Sequence, residues 1–224
     1  MSDESRTPSS TPVGLDLTLA PRTIMDGVDG KVIYYPSLLP TEYAWKLFEF
    51  LKANINWEQR EMRAYGKVMS FPRLIAWFNT KRDNYAFSGI SVASQPVPGP
   101  IQKLFDSFEV RFGLTFNSVL LNYYRDGNDS ISWHTDAEPE LGENPTVASI
   151  SLGATRRFML RRERDKESIS IDLEHGSVLI MREAMMHLWK HQIPKQPKIH
   201  EPRINLTFRF MHPAADAAEA PPKP

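Results

Sequence analysis

Past Gly113 the chain is a succession of short segments with strand character, and that pattern leaves few folds open. Phe116–Tyr124, Ile131–His134, Thr146–Leu152, Arg157–Leu160, Ser168–Leu173, Ser177–Met181 and Arg203–Met211 carry the alternation or the branched and aromatic residues of strands. Turn signals separate several of them: Asp126-Gly127-Asn128, Gly142-Glu143-Asn144-Pro145 and His175-Gly176. Glycine and asparagine tolerate the backbone that tight turns need. The front half reads differently. After Pro40, the residues Tyr43, Leu47, Phe50 and Leu51 fall on one helical face. After Pro100, Ile101, Leu104, Phe105, Phe108 and Phe112 recur at helical spacing, and Gly113 supplies a stop. The expected fold is α+β, with a jelly roll (double-stranded β-helix) at its core and the N-terminal helices packed on it.

The last strand is the most informative. In Arg203–Met211, Ile204, Leu206, Phe208 and Phe210 share one face, while Arg203, Asn205, Thr207 and Arg209 share the other. Such alternation admits two readings. One is a solvated face with two ordinary arginines. The other is a polar face lining an interior, where two buried arginines cost free energy unless an anion meets them. A guanidinium fork suits a carboxylate. Six residues of strand span about 20 Å, so both arginines reach one small dicarboxylate only by leaning in from opposite ends.

Composition narrows the chemistry. Twenty-seven basic residues balance twenty-seven acidic ones, so charge alone does not advertise a nucleic-acid partner. Phosphate contacts must then come from local clusters such as Arg60, Arg63, Lys67 and Arg73, or Arg156, Arg157, Arg161, Arg162 and Arg164; a charged run is equally a solvated face. There is no cysteine, so a metal must be held by His, Asp and Glu. No apolar h-region or membrane-length run is present, which makes a soluble intracellular protein the expectation. Residues 1–30 read as a flexible leader, 31–212 as a single domain and 213–224 as a flexible tail.

His134-Thr135-Asp136 places two ligand types two residues apart near a strand end, where both side chains reach one point. A distant histidine would complete a two-His-one-carboxylate face with open positions on a ferrous ion. Of the other histidines, His187 and His191 remain as candidates, and spacing does not choose between them. Asn122 and Tyr124 share one strand face and can point into the same cavity as the arginines.

These pieces resemble the AlkB family of 2-oxoglutarate dioxygenases. The matching stretches are NYYRDGNDSISWHTDAEPELG, ASISLGATRRFMLR, HGSVLIM, LWKHQIPK and PRINLTFR, in the family's order. The resemblance implies Fe(II), 2-oxoglutarate and O2. It assigns Fe(II) to His134, Asp136 and His191, the last through LWKHQIPK. It assigns 2-oxoglutarate to Asn122, Tyr124, Arg203, Thr207 and Arg209, with Asn205 supporting. It implies that Glu138 reads the edge of a flipped base and that Tyr85 and Phe87, in YAFSG, lie on the substrate side, with Phe87 stacking on the base. RAYGKVMSFPR is similar to a DNA-gripping hairpin, with Tyr65 and Gly66 at its wedge and Arg73 at the strand backbone. Ala137 stands where a second acidic residue often follows the metal Asp, and Tyr65 is more polar than the usual wedge. The implied activity is oxidative demethylation of 1-methyladenine and 3-methylcytosine in DNA or RNA by a monomer with no membrane partner. The rivals are a 2-oxoglutarate dioxygenase with another substrate and a non-catalytic jelly-roll module.

Overall fold

The computed structural model describes residues 13–64, 67–80, 85–87, 90–92 and 94–212, with side chains described outside 62–69 and 81–93. In chain order the elements are β1 (Arg22–Gly27), β2 (Gly30–Tyr35), α1 (Thr41–Asn54), β3 (Glu61–Ala64), β4 (Lys67–Ser70), β5 (Leu74–Asn79), β6 (Tyr85–Phe87), β7 (Ile90–Val92) and α2 (Gly99–Phe112). Then follow β8 (Ser118–Tyr124), β9 (Ile131–His134), β10 (Val147–Gly153), β11 (Arg156–Arg162), β12 (Ser168–Leu173), β13 (Ser177–Arg182), α3 (Met185–Leu188), β14 (Trp189–Ile193) and β15 (Arg203–Arg209).

A seven-stranded sheet runs β1-β2-β13-β10-β15-β8-β5, and a four-stranded sheet runs β12-β11-β14-β9. Side chains alternate across a strand, and that alternation builds the layers. On β13, Val178 and Ile180 join the core with Leu47, Phe48, Leu51, Leu104, Phe105 and Phe108 of the helices. Leu179 and Met181 face the other way, against Phe158, Leu160, Ile171, Leu173 and Ile193 of the smaller sheet. The result is three layers: helices, large sheet, small sheet. The two sheets pack as a sandwich, and the structure is mostly strand with few helices. No described helix is long and apolar enough to cross a membrane.

The helices follow the sequence signals. α1 buries Ala44, Leu47, Phe48 and Leu51, so its inner face is rotated slightly from the expected one. α2 buries Ile101, Leu104, Phe105 and Phe108, and Gly113 caps it at φ 61° in the left-handed region. Phe105 meets Phe208 of β15 edge-on at 5.2 Å. Burying each such ring contributes roughly 1.5–3 kcal/mol.

β15 is central, and all seven of its residues are buried. A solvated polar face is therefore excluded. Two parts of the sequence reading need correction. β1 lies inside the stretch assigned to a loose leader and pairs with β2 from Arg22↔Tyr34 to Gly27↔Gly30. Its own side chains are mostly exposed, so its composition carries no buried-strand signal. β5 was not legible as a strand because it is buried almost throughout and does not alternate.

Candidate active site

The polar face of β15 meets polar residues from both neighbours. Arg203 lies across from Tyr124 and Asn205 from Asn122 on β8, while Thr207 pairs with Ser149 on β10. Asn205 is the hub. Its Nδ2 donates to Ser149 Oγ at 2.7 Å, and its Oδ1 accepts from Thr207 Oγ1 at 2.9 Å and from Asn122 Nδ2 at 3.3 Å. Asn122 Oδ1 in turn accepts from Arg73 Nε at 2.7 Å. This network fixes the side chains beneath a cavity of about 250 Å³.

Arg203 is 1% exposed. Its Nη2 donates to Ser151 Oγ at 2.9 Å, and its guanidinium lies 5.2 Å from the centre of the Tyr124 ring. Burial pushes its pKa down to about 10. Its Nε and Nη1 have no hydrogen-bond partner among the described residues. A buried charge with two free donors is costly by itself and fits a carboxylate.

The second half of the site comes from the small sheet. β9 and β14 pair so that His134 lies directly across from His191, with ring centres 4.1 Å apart. Asp136 follows two residues after His134. One ligand atom from each of the three lies within 4.8 Å of the others. His134 Nδ1 is 2.8 Å from the Ser132 carbonyl oxygen. A carbonyl only accepts, so Nδ1 carries the proton and Nε2 keeps its lone pair. Burial, and the neighbouring His134, hold His191 near a pKa of about 3, so it is neutral at ordinary pH. Burial lowers His134 as well. Burial alone would raise Asp136, but the Arg209 guanidinium, 2.7 Å from Oδ1, and the two histidines hold it down at about 2. Two neutral imidazoles and one carboxylate are the donor set a ferrous ion takes with positions left open. The residues fit that ion, and the free donors of Arg203 fit its dicarboxylate co-substrate.

The cavity brings together His134, Asp136, His191, Asn122, Tyr124, Arg203, Asn205, Thr207, Arg209 and Glu138. It also contains Arg73, which was expected at a nucleic-acid backbone. Arg73 is 5% exposed, bonded to Asn122 and set against the Phe71 ring at 4.9 Å, so it is an interior residue. Its place one residue before the apolar run of β5 was the available signal. Tyr65 and Gly66 lie outside the described residues. Tyr85 and Phe87 sit on β6, paired with β7, and their side chains lie outside the described ones. Sequence reasoning also missed Trp133, which lines the cavity beneath the Arg161 guanidinium at 4.4 Å. The choice between histidines is resolved by position: His187 Nε2 is bonded to the Glu143 carbonyl instead.

The profile of the 2OG-Fe(II) oxygenase superfamily matches residues 31–209. A human protein named alpha-ketoglutarate-dependent dioxygenase alkB homolog 3 is 37% identical over 193 residues, covering 82% of this chain and 67% of its own length. This chain belongs to the AlkB family of 2OG-Fe(II) oxygenases. The DNA oxidative demethylase ALKBH2 of Arabidopsis thaliana is 31% identical over 217 residues, covering 85% of this chain and 69% of that protein. A solved structure titled "The structure of OsALKBH1" superposes with a TM-score of 0.56 at 20% identity, over 80% of this chain and 97% of that one, and shares the fold. As an AlkB-family member the chain is an Fe(II)- and 2-oxoglutarate-dependent dioxygenase, and O2 is its oxidant.

Proposed function

We propose that this oxygenase removes methyl groups from N-alkylated bases, such as 1-methyladenine and 3-methylcytosine, in DNA or RNA. One observation carries the reading. The His134–Asp136–His191 trio, the free donors of Arg203 and the carboxylate of Glu138 all line one cavity. The names of the similar human and Arabidopsis proteins support the substrate class. Bound Fe(II) and 2-oxoglutarate supply the oxidation that hydroxylates an N-methyl carbon, after which formaldehyde is lost.

The chain's own residues do the positioning. His134, Asp136 and His191 hold the metal. Arg203, with Tyr124 beside it, takes the far carboxylate of 2-oxoglutarate; Asn122, Thr207 and Arg209 hold the rest, and Asn205 fixes them. Glu138 faces the base. Phe87 is assigned to stacking with Tyr85 on the substrate side, and Tyr65, flanked by Gly66, to filling the gap a flipped base leaves; the sequence likeness alone supports these. A base must leave its stack to reach such a site, and lesions that break pairing lower that cost. We further take one domain, from β1 to residue 212, as the catalytic unit and its sandwich as a double-stranded β-helix.

The test is mass spectrometry of a 1-methyladenine oligonucleotide after incubation with protein, Fe(II), ascorbate and 2-oxoglutarate. Loss of one methylene mass with wild type, and none with His134→Ala, is the expected result. Succinate formation with an unchanged oligonucleotide would move the substrate elsewhere.

A further inference from the structure

The loop after the metal carboxylate carries Glu138 over the cavity and then makes a short turn, Pro139–Leu141. From inside, Leu141 is buried in the protein. From outside, the loop is held by a piece of chain that the chemistry does not otherwise need. Beyond β15, Asn117 grips the backbone of Met211 with both ends of its carboxamide. Its Nδ2 donates to the Met211 carbonyl at 2.8 Å, and its Oδ1 accepts the Met211 N–H at 2.7 Å. Asn117 is buried, and its two bonds extend the strand ladder past the Ser118↔Arg209 pair. The next residue makes the connection: the His212 N–H donates to the Glu140 carbonyl at 2.7 Å. The His212 ring also covers Gly142, at φ 80°, where an added Cβ would lie 3.1 Å from Nε2. A proline follows His212 in the sequence and favours an extended backbone at His212.

We propose that Asn117 and the Met211–His212 backbone form a positioning brace that sets where Glu138 stands, and so sets recognition of the alkylated base rather than the oxidation. The inference rests on the reading of Glu138 as the base-facing group. Arg209 ends β15 and bonds Asp136, so the metal carboxylate has its own support one step earlier on the same segment. The brace acts on the part of the loop beyond it. Asn117 and His212 touch neither the cofactor positions nor the cavity, and they are positioning residues.

The experiment compares Asn117→Ala, His212→Pro and His212→Ala with wild type. His212→Pro deletes the N–H, whereas His212→Ala keeps it. KM for the 1-methyladenine oligonucleotide should rise about fivefold in Asn117→Ala and in His212→Pro, the effect of one or two lost hydrogen bonds. kcat, and the slow 2-oxoglutarate turnover without oligonucleotide, should stay within about twofold of wild type. His212→Ala should match wild type. The two lesions act in series, so the double variant should be little worse than either alone. Amide hydrogen exchange across residues 137–143 should quicken in the same two variants and in no others. Unchanged KM and unchanged loop exchange in His212→Pro overturn the brace. An equal fall in kcat and 2-oxoglutarate turnover also overturns it, because the segment is then merely structural. Wild type that leaves the oligonucleotide methylated sinks the demethylase reading instead. Loop exchange then decides the brace alone: quickening in the two variants upholds it, and no change removes it.

Discussion

Arg203 and Arg156 are both 1% exposed, yet their surroundings differ in kind. Arg156, at the start of β11, donates to the carbonyls of Asp126, Asp129 and Pro194 at 2.8–3.0 Å, and its Nε reaches Gln196 Oε1 at 3.2 Å. It ties the loop after β8 to the loop before β15. Those loops are already so close that a Cβ on Gly127 would lie 1.8 Å from the Gln196 oxygen. Arg203 donates to Ser151 Oγ through Nη2, and its Nε and Nη1 have no partner among the described residues. The two guanidiniums even flank the same ring, that of Tyr124. A buried arginine with filled donors is a clamp; one with empty donors is a receptor. The rest of β11 repeats the first case at the surface, where Arg162 meets Asp29, Asp165 and Glu167, and Arg157 meets Asp172. Carboxylates answer much of that run, so its charge is a poor guide to a phosphate grip.

The contrast predicts which property each substitution moves. Arg156→Met should cost about 4 kcal/mol, because several buried carbonyls lose their donor. In thermal denaturation that is a fall on the order of 10 °C. Its KM for 2-oxoglutarate should hardly change. Arg203→Met should do the reverse. KM for 2-oxoglutarate should rise roughly fiftyfold, about 2 kcal/mol for a charge-assisted hydrogen-bonded pair. Its melting temperature without ligand should hold or rise, since an under-partnered buried charge has been removed. A drop in stability there, with KM intact, would erase the distinction.

Acid sharpens it further for the metal-free protein. His191 is held below its usual pKa of 6.5, down to about 3. Below 6.5 the unfolded chain therefore binds a proton that the folded chain refuses. Stability should fall as pH drops from 6.5 toward 3, by up to about 1.4 kcal/mol per unit for this group. Asp136 works in a lower window. Its depressed carboxyl contributes stability above 3.8 that is lost between 3.8 and about 2. His191→Gln should flatten the upper slope in a pH series of urea melts. The smallest effect belongs to Arg157→Ala, an exposed pair with no detectable change expected in melting temperature.

Most of the site could be read before the fold. Alternation placed Arg203, Asn205, Thr207 and Arg209 on one face, and the pairing of His134 with Asp136 needed only strand geometry. What alternation could not say was which face was wet, because that depends on β15 lying between β8 and β10. The burial of Arg73 in the cavity wall was hidden for a related reason. An arginine that follows other basic residues and precedes an apolar run looks like a surface residue until the partner that accepts its Nε–H, Asn122, is known. β14 hid because its central buried residue is a histidine, which breaks the apolar pattern of a strand. The gripping of Met211 by Asn117 spans ninety-four residues and leaves no local trace.

β9 has four residues, lies at the border of its sheet, and meets β14 at His134↔His191 and Ile131↔Ile193 with an irregularity between. That join is a seam, and two of the three metal ligands face each other across it. Loading the ion would rivet the seam shut. A newly made chain would then complete its sheet and gain its reactivity in one event, and metal-starved protein should fray there first.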